Sequence, residues 1–236
     1  MAESRVVERV KVQGADTWFA DADALEHSGQ VGTRGRVSSL YLFCKRVGDI
    51  ALAVAGIILC LPMWIIVAAL IKLESPGPIL FRQRRPGHRG VPFLILKFRT
   101  MCNDAEDRLD EVLATNKEPD HSLIRVDEDP RVTRIGYWLR KWSLDETPQF
   151  INVVRGEMSI VGPRPISRPI PDPRGYLRLE ARPGITGVWQ TNGRKLTDCK
   201  HMLDLDMEYL ANRSLVLDIS ILGRTVGAVL RAEGAE

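Results

Sequence analysis

Residues 50–71, Ile-Ala-Leu-Ala-Val-Ala-Gly-Ile-Ile-Leu-Cys-Leu-Pro-Met-Trp-Ile-Ile-Val-Ala-Ala-Leu-Ile, form the one long uncharged apolar run in a chain of 236 residues. At about 1.5 Å per residue, a run of this length crosses a hydrocarbon core of roughly 30 Å as a single helix. Pro62 lies at its middle. A proline in a helix interior removes a donor and clashes with the preceding turn, at a cost of about 3 kcal/mol, so a bend is expected there. Both flanks are basic: Lys45 and Arg46 precede the run, and Lys72 with Arg82, Arg84, Arg85 and Arg89 follows it. Positive charge on both sides fits both ends in the cytoplasm. On local grounds a bent helix that re-enters its own side and a kinked spanning helix both stay open, because neighbouring groups can satisfy the carbonyl that proline frees.

With 44% hydrophobic residues, the chain has enough apolar surface for one domain core and a modest surplus for an anchor or tail. The net charge of +3 conceals the arginine cluster, which suits anionic headgroups or phosphorylated substrates, or is a solvated basic turn. Cys44, Cys60, Cys102 and Cys199 show no Cys-x-x-Cys pairing and the histidines fall at unrelated positions. Neither a disulfide framework nor a zinc site is expected. Residues 1–40 mix charge, glycine and small residues and precede the apolar run, which reads as a mobile tail and not as a secretory signal. No internal repeat and no Gly-x-Gly-x-x-Gly motif occurs.

After Ser75-Pro-Gly-Pro, residues 79–81 and 91–101 read as short strands joined by an Arg/Gly/Pro turn. Period-two alternation puts Phe93, Ile95, Lys97 and Arg99 on one face of the second strand, so two cations project together, able to grip a diphosphate or to face headgroups. Farther on, Ile135, Trp138, Leu139 and Trp142 recur at helical spacing with Arg134, Arg140 and Lys141 on other faces. This is a basic amphipathic helix, resting in the headgroup plane or packed on the core.

The adjacent carboxylates Asp145 and Glu146 follow. Ser143-Leu-Asp-Glu146 fits a capping box, and Thr147-Pro148 fits an N-cap with proline at the first helical position; either places the pair near the start of the helix that Gly156 closes. Unpaired amides there favour anions. Capping alone accounts for Glu146 more readily than for Asp145. Adjacent residues at a helix start point in different directions, so one carboxylate can face a phosphorus while the other holds a cation. Arg164 stands between Pro163 and Pro165, where a pre-set backbone offers a bidentate fork at low ordering cost, or is a surface arginine in a stiff linker. Asn192-Gly193 signals a tight turn that presents Gln190 and Arg194 at the end of a loop begun by Arg182-Pro183-Gly184. Asp204, Asp206 and Glu208 read as a solvated acidic face before a metal site, since residues two apart do not meet on a helix. Residues 215–230, apolar but punctuated by Asp218 and Arg224, suit an amphipathic helix on the membrane or the core.

Four segments carry a further reading: residues 132–165, with Trp142-Ser-Leu-Asp-Glu-Thr-Pro-Gln149 and Gly162-Pro-Arg-Pro165; Ser75-Pro-Gly-Pro-Ile-Leu-Phe-Arg-Gln-Arg-Arg-Pro-Gly87; Leu96-Lys-Phe-Arg-Thr-Met101; and Arg182-Pro-Gly-Ile-Thr-Gly-Val-Trp-Gln-Thr-Asn-Gly-Arg194. In kind and in order they resemble the bacterial sugar transferases, the monotopic phosphoglycosyl transferases, over roughly Cys44 to Leu230. The resemblance implies an α+β monotopic membrane protein: a mobile tail at 1–43, a broken re-entrant helix at 44–74, and a catalytic domain at 75–236 with a short β-hairpin and amphipathic interfacial helices. It favours re-entrance with the bend at Pro62. Leu61, where many members carry serine, leaves the hydrogen bonding at that bend open.

The resemblance also implies transfer of a sugar-1-phosphate from a nucleotide diphosphate-sugar, typically a UDP-sugar, to polyprenyl phosphate, releasing nucleoside monophosphate. That is a first membrane step in making a glycoconjugate or exopolysaccharide, on the cytoplasmic face of the bacterial inner membrane. Asp145 is then the nucleophile and Glu146 the partner of Mg²⁺, with Asp145 nearby as a further metal contact; Lys97, Arg99, Arg140, Arg164, Arg182, Gln190 and Arg194 bind phosphate and substrate. Membrane lipids are expected partners, nucleic acid is not, and a homodimer is compatible. Two rivals stand beside this reading: a membrane-tethered basic module that binds polyanions without catalysis, and direct attack by lipid phosphate with Asp145 as base or metal ligand.

Overall fold

The computed structural model describes residues 37–105, 107–108, 129–167, 170, 172–192 and 199–230. Most of the expected tail and all of residues 193–198, Arg194 among them, lie outside the described residues. The chain combines helices with two small sheets. Helix α1, Ser39–Glu74, takes in the whole apolar run and the residues just before it, and Pro62 sits inside it as part of one continuous element. Its length, about 54 Å at 1.5 Å per residue, exceeds the hydrocarbon core. Most of its large apolar side chains face outward, among them Ile58, Leu59, Ile65, Ile66 and Leu73. By length and composition it can cross a membrane.

Strands β1 (Leu80–Pro86) and β2 (Pro92–Phe98) pair antiparallel, with Leu80 opposite Phe98 and Arg85 opposite Phe93. This corrects the expected boundary of the turn. Arg82, Arg84 and Arg85 belong to β1, and only Arg89 sits in the connecting turn, at φ 54°. Strand propensity is low for charged residues, yet an exposed edge strand tolerates arginines at alternate positions, as at Arg82 and Arg84, and gains from them.

Helix α2 (Arg134–Lys141) begins at Thr133, whose side chain accepts from the Gly136 amide at 2.9 Å. Glu74, at the end of α1, accepts from the free amides of Arg134 and Ile135, so the long helix caps the short one. Helix α3 (Gln149–Arg155) ends at Gly156 in the left-handed conformation, as expected. Strands β3 (Ser159–Val161) and β4 (Gly184–Thr186) pair in parallel. Around them stand α4 (Pro173–Leu177), α5 (Val188–Asn192), α6 (Cys199–Asn212) and α7 (Leu215–Leu230).

Two apolar clusters hold these elements, and α1 enters both. Ala53 joins Phe93, Ile95, Val153, Met158, Met202, Leu203 and Ile221, while Val67 and Ile71 join Phe98 and Leu139. Polar ties reinforce the same seam. Asp49 accepts from the Ser159 hydroxyl at 2.7 Å and the Ile160 amide at 3.0 Å. Asp218 on α7 accepts from Lys45 at 3.0 Å, Tyr41 at 3.1 Å and Tyr209 at 2.8 Å. The rest of the fold therefore grips α1 before and after Pro62. Of the two charges in α7, Asp218 faces inward and Arg224 is exposed, as are Val216, Ile219 and Val226. In α2 likewise, Ile135 and Leu139 pack inward while Tyr137 and Trp138, and Trp142 just past its end, are exposed.

Candidate active site

The acidic pair sits on a single 3₁₀ turn, Leu144–Glu146, entered through Ser143 at φ 54°. Neither expected cap forms: Ser143 caps nothing with its side chain, and Pro148, in place of Thr147, immediately precedes α3. The tight turn changes the geometry on which both motifs depend, since a capping box needs an extended residue at its first position. Thr147 instead donates to the Leu144 carbonyl at 2.8 Å and accepts from the Trp64 indole at 2.9 Å. That bond ties the acidic turn to α1 two residues past Pro62.

Asp145 is buried, at 8% exposure. Burial pushes its carboxyl up to about 6, the Glu146 charge adds to the rise, and Lys97 and Arg140 pull the other way. Glu146 accepts from Lys97 Nζ at 2.6 Å, each side chain keeping 21% of its surface exposed. Two devices bring these partners together. Asn152 on α3 accepts from the Leu96 amide at 3.1 Å and donates to the Leu94 carbonyl at 2.7 Å, so the helix is hydrogen-bonded to the strand that carries Lys97. Gly136 lets α2 lie against the second residue after that strand: a Cβ there would stand 2.1 Å from the Thr100 carbonyl oxygen. Arg140 then reaches the Thr100 hydroxyl at 2.9 Å.

A cleft opens beside the pair, lined by Arg85, Ile95, Lys97, Glu146, Gln149, Arg164, Pro165, Gly184, Ile185 and Gln190. The Gly-Pro-Arg-Pro turn is held by its carbonyls: Arg178 donates to Arg164 O at 2.6 Å, and Arg85 to Pro165 O at 2.9 Å. The Arg164 guanidinium lies 5.1 Å from the centre of the Trp189 ring, a cation–π contact that orients it without using its donors. Arg178 is in turn paired with Asp206 at 2.6 Å, both fully buried. The arrangement is a buried carboxylate beside a carboxylate–lysine pair, facing fixed guanidinium groups. It suits chemistry at a phosphorus atom, where positioning and charge offset do most of the work.

The profile of the bacterial sugar transferase family matches residues 40–232. The chain belongs to this family. Among its relatives is the exopolysaccharide production protein ExoY of Sinorhizobium fredii, 39% identical over 197 residues, covering 81% of this chain and 87% of that protein. The UDP-glucose:undecaprenyl-phosphate glucose-1-phosphate transferase of Caulobacter vibrioides is 40% identical over 203 residues, covering 81% and 71%. The undecaprenyl-phosphate galactose phosphotransferase of Salmonella typhimurium is 38% identical over 201 residues, covering 82% of this chain and 42% of that protein.

Of the residues singled out from sequence, Asp145, Glu146, Lys97, Arg140, Arg164 and Gln190 converge on this family member's cleft or its acidic turn. Arg99 does not. Its guanidinium donates to Ser75 O at 2.8 Å, Pro76 O at 2.6 Å and Asn103 Oδ1 at 2.6 Å, fastening the chain that leaves α1. The strand ends at Phe98, so the alternation that paired Arg99 with Lys97 no longer applies. Arg182 is drawn to the α3 C-terminus, donating to Gly156 O at 2.9 Å, where unpaired helix carbonyls attract a cation. Sequence reasoning held Arg85 only as one of the arginine cluster, and missed Gln149 and the Arg178–Asp206 pair. Arg85 had a signal in its strand alternation; Asp206, read as solvated, had none, because its partner lies 28 residues away on another element.

Among the described residues no cluster of three or more histidine, cysteine or acidic side chains stands ready for a metal. Two neighbouring carboxylates do fit Mg²⁺, which takes one or two of them and completes its shell with phosphate oxygens and water. They do not fit a structural zinc site.

Proposed function

We propose that the chain transfers a sugar-1-phosphate from a UDP-sugar to a polyprenyl phosphate, through a covalent intermediate on Asp145. An Asp145 carboxylate oxygen bonds to the sugar-bearing phosphorus, and the bond to the bridging oxygen breaks, its electron pair leaving with the nucleoside monophosphate. A phosphate oxygen of the lipid then attacks the same phosphorus and releases Asp145. Polyprenyl diphosphate-sugar is the product. The observation that carries this reading is the buried Asp145 beside the Lys97–Glu146 pair, at a cleft whose Arg164 is held from behind. Lys97, Arg85 and Arg164 offset charge on the phosphoryl oxygens, and Arg140 acts on Asp145. Glu146, with Asp145, would hold Mg²⁺, which supplies Lewis-acid offset of the diphosphate charge. A polyanion-binding module has no need of a buried carboxylate.

The same reading places the domain on the cytoplasmic face of the inner membrane, with α1 re-entrant. Support comes from the ties at both ends: Lys45 and Asp49 near the start of α1, and Trp64 and Glu74 near its end, all bind one polar body. A helix that crossed the bilayer would have to leave that body on both sides of roughly 30 Å of hydrocarbon. The exposed aromatic residues of α2 and the outward apolar face of α7 then lie at the headgroups.

Intact-mass measurement of the detergent-solubilised protein with donor alone tests the covalent step. A sugar-phosphate adduct is expected on the parent and none on Asp145→Asn. Absence of an adduct, with intersecting initial-rate lines in place of parallel ones, would establish direct transfer instead.

A further inference from the structure

Two amides in the cleft are deeply buried and incompletely satisfied. Gln149 is 1% exposed and Gln190 5%; Gln149 Nε2 and Gln190 Oε1 have no hydrogen-bond partner. Native proteins leave few such atoms, and those that remain call for an explanation such as a bound group. Both residues line the cleft shared by Lys97, Glu146 and Arg164. They arrive from different elements, Gln149 at the start of α3 and Gln190 on α5. Gly187 makes room for the second: a Cβ there would stand 2.9 Å from Gln190 Oε1 and 2.3 Å from Gly162 O.

The pair offers one donor and one acceptor, both neutral. Phosphate oxygens do not satisfy it, because an ionised phosphate only accepts and would oppose Gln190 Oε1. A hydroxyl has both complementary functions, able to accept from Gln149 Nε2 and to donate to Gln190 Oε1. Gln149 lies three residues beyond Glu146, so the group it meets is close to the attacked phosphorus. In a nucleotide sugar that neighbour is the sugar, whereas the base lies beyond a second phosphate and a ribose. We infer that Gln149 and Gln190 bind a hydroxyl of the sugar carried by the nucleotide donor. This rests on the transferase reading above and makes the two residues determinants of sugar specificity.

The test uses the full chain in detergent with polyprenyl phosphate and a panel of UDP-hexoses, then single-deoxy analogues of the best donor. Gln149→Leu and Gln190→Leu should each lower kcat/KM for that donor about 10- to 100-fold, the usual cost of removing one partner from a buried hydrogen bond. Competitive inhibition by uridine diphosphate, which lacks the sugar, should change by less than about threefold on the same argument. One deoxy donor should lose a similar factor on the parent and little more on the variants, since the bond is already gone. Gln149→Glu serves if a leucine variant does not fold, because it keeps the shape and lacks the donor. Uridine diphosphate weakening in step with the donor would overturn the inference and give the pair to the nucleotide, as would every deoxy donor losing equally on parent and variants. A folded parent that turns over no nucleotide sugar would instead overturn the transferase reading, and this inference with it.

Discussion

Two ion pairs of the same length, 2.6 Å, one lining the cleft and one behind Arg164, differ in what surrounds them. Lys97 and Glu146 each keep 21% of their side-chain surface, whereas Arg178 and Asp206 keep 1% and 3%. An accessible pair contributes little net stability, so an incoming phosphate or cation can take over either partner at small cost. A sealed pair cannot exchange. Burial lowers the affinity of Arg178 for its proton and raises that of Asp206, each shift opposed by the other's charge. Separating them would strand a charge in a low dielectric. The first pair lines the cleft, and the second holds Arg164 by its carbonyl.

The sharpest break of that comparison leaves both pairs intact. Asp145→Asn should cut turnover by about 10⁴-fold or more, equivalent to roughly 5 kcal/mol of barrier, as read by nucleoside monophosphate release. The same variant should be more stable than the parent at neutral pH. Asp145 titrates near 6 in the fold and near 4 when unfolded, so the native state holds the extra proton between those values. Parental stability therefore falls as pH rises from about 4 to 6 and stays lower above, a dependence the asparagine variant lacks. The expected gain is about 1–2 kcal/mol in denaturant unfolding at pH 7.5. Equal or lower stability would contradict the buried, desolvated placement of this carboxyl.

Breaking the sealed pair comes next. Asp206→Asn should cost about 3–5 kcal/mol of stability, because Arg178 stays charged and buried without its counterion. Converting both partners, Arg178→Met with Asp206→Leu, should recover most of that loss. Activity should not return with it: kcat/KM is expected to stay about 10-fold or more below the parent, since Arg164 has lost the donor on its carbonyl. Full activity in the folded double variant would show that Arg164 needs no such support.

The accessible pair should behave in the opposite sense. Glu146→Gln should change stability by less than about 1 kcal/mol while raising the Mg²⁺ concentration needed for turnover or ending turnover. Chelation should abolish parental activity and Mg²⁺ restore it; full activity after exhaustive chelation would remove Mg²⁺ from the reaction. The smallest effect is expected at Trp64→Phe, which keeps the ring against Phe98 and removes only the bond to Thr147. A loss of about 0.5–1.5 kcal/mol in stability is expected, with a modest fall in kcat that reports how far α1 steadies the acidic turn.

The contrast also separates what was legible in advance from what was not. Asp145, Glu146 and Lys97 belong to short motifs whose charge and spacing announce chemistry, and Arg164 is fixed by the prolines beside it. Gly156 closed its helix as read, because left-handed closure is a property of a few consecutive residues. Arg99 misled the same reasoning: alternation predicts a face only while the strand continues, and β2 stops one residue earlier. Asp206 looked solvated because the i, i+2 spacing describes one helix and says nothing about Arg178 on another.

Local patterns alone determined the long apolar helix, the hairpin, the paired carboxylates and the family, since periodicity, turn chemistry and motif order are written in neighbouring residues. Tertiary structure decided which cations reach the acidic turn, which are spent on helix ends, and which carboxylate is sealed. It also decided that Tyr41, Lys45 and Asp49 at one end of α1, and Trp64 and Glu74 at the other, grip the same body. These are contacts between residues far apart in the chain, chosen by burial and by the need of every buried polar group for a partner, and no local pattern encodes them.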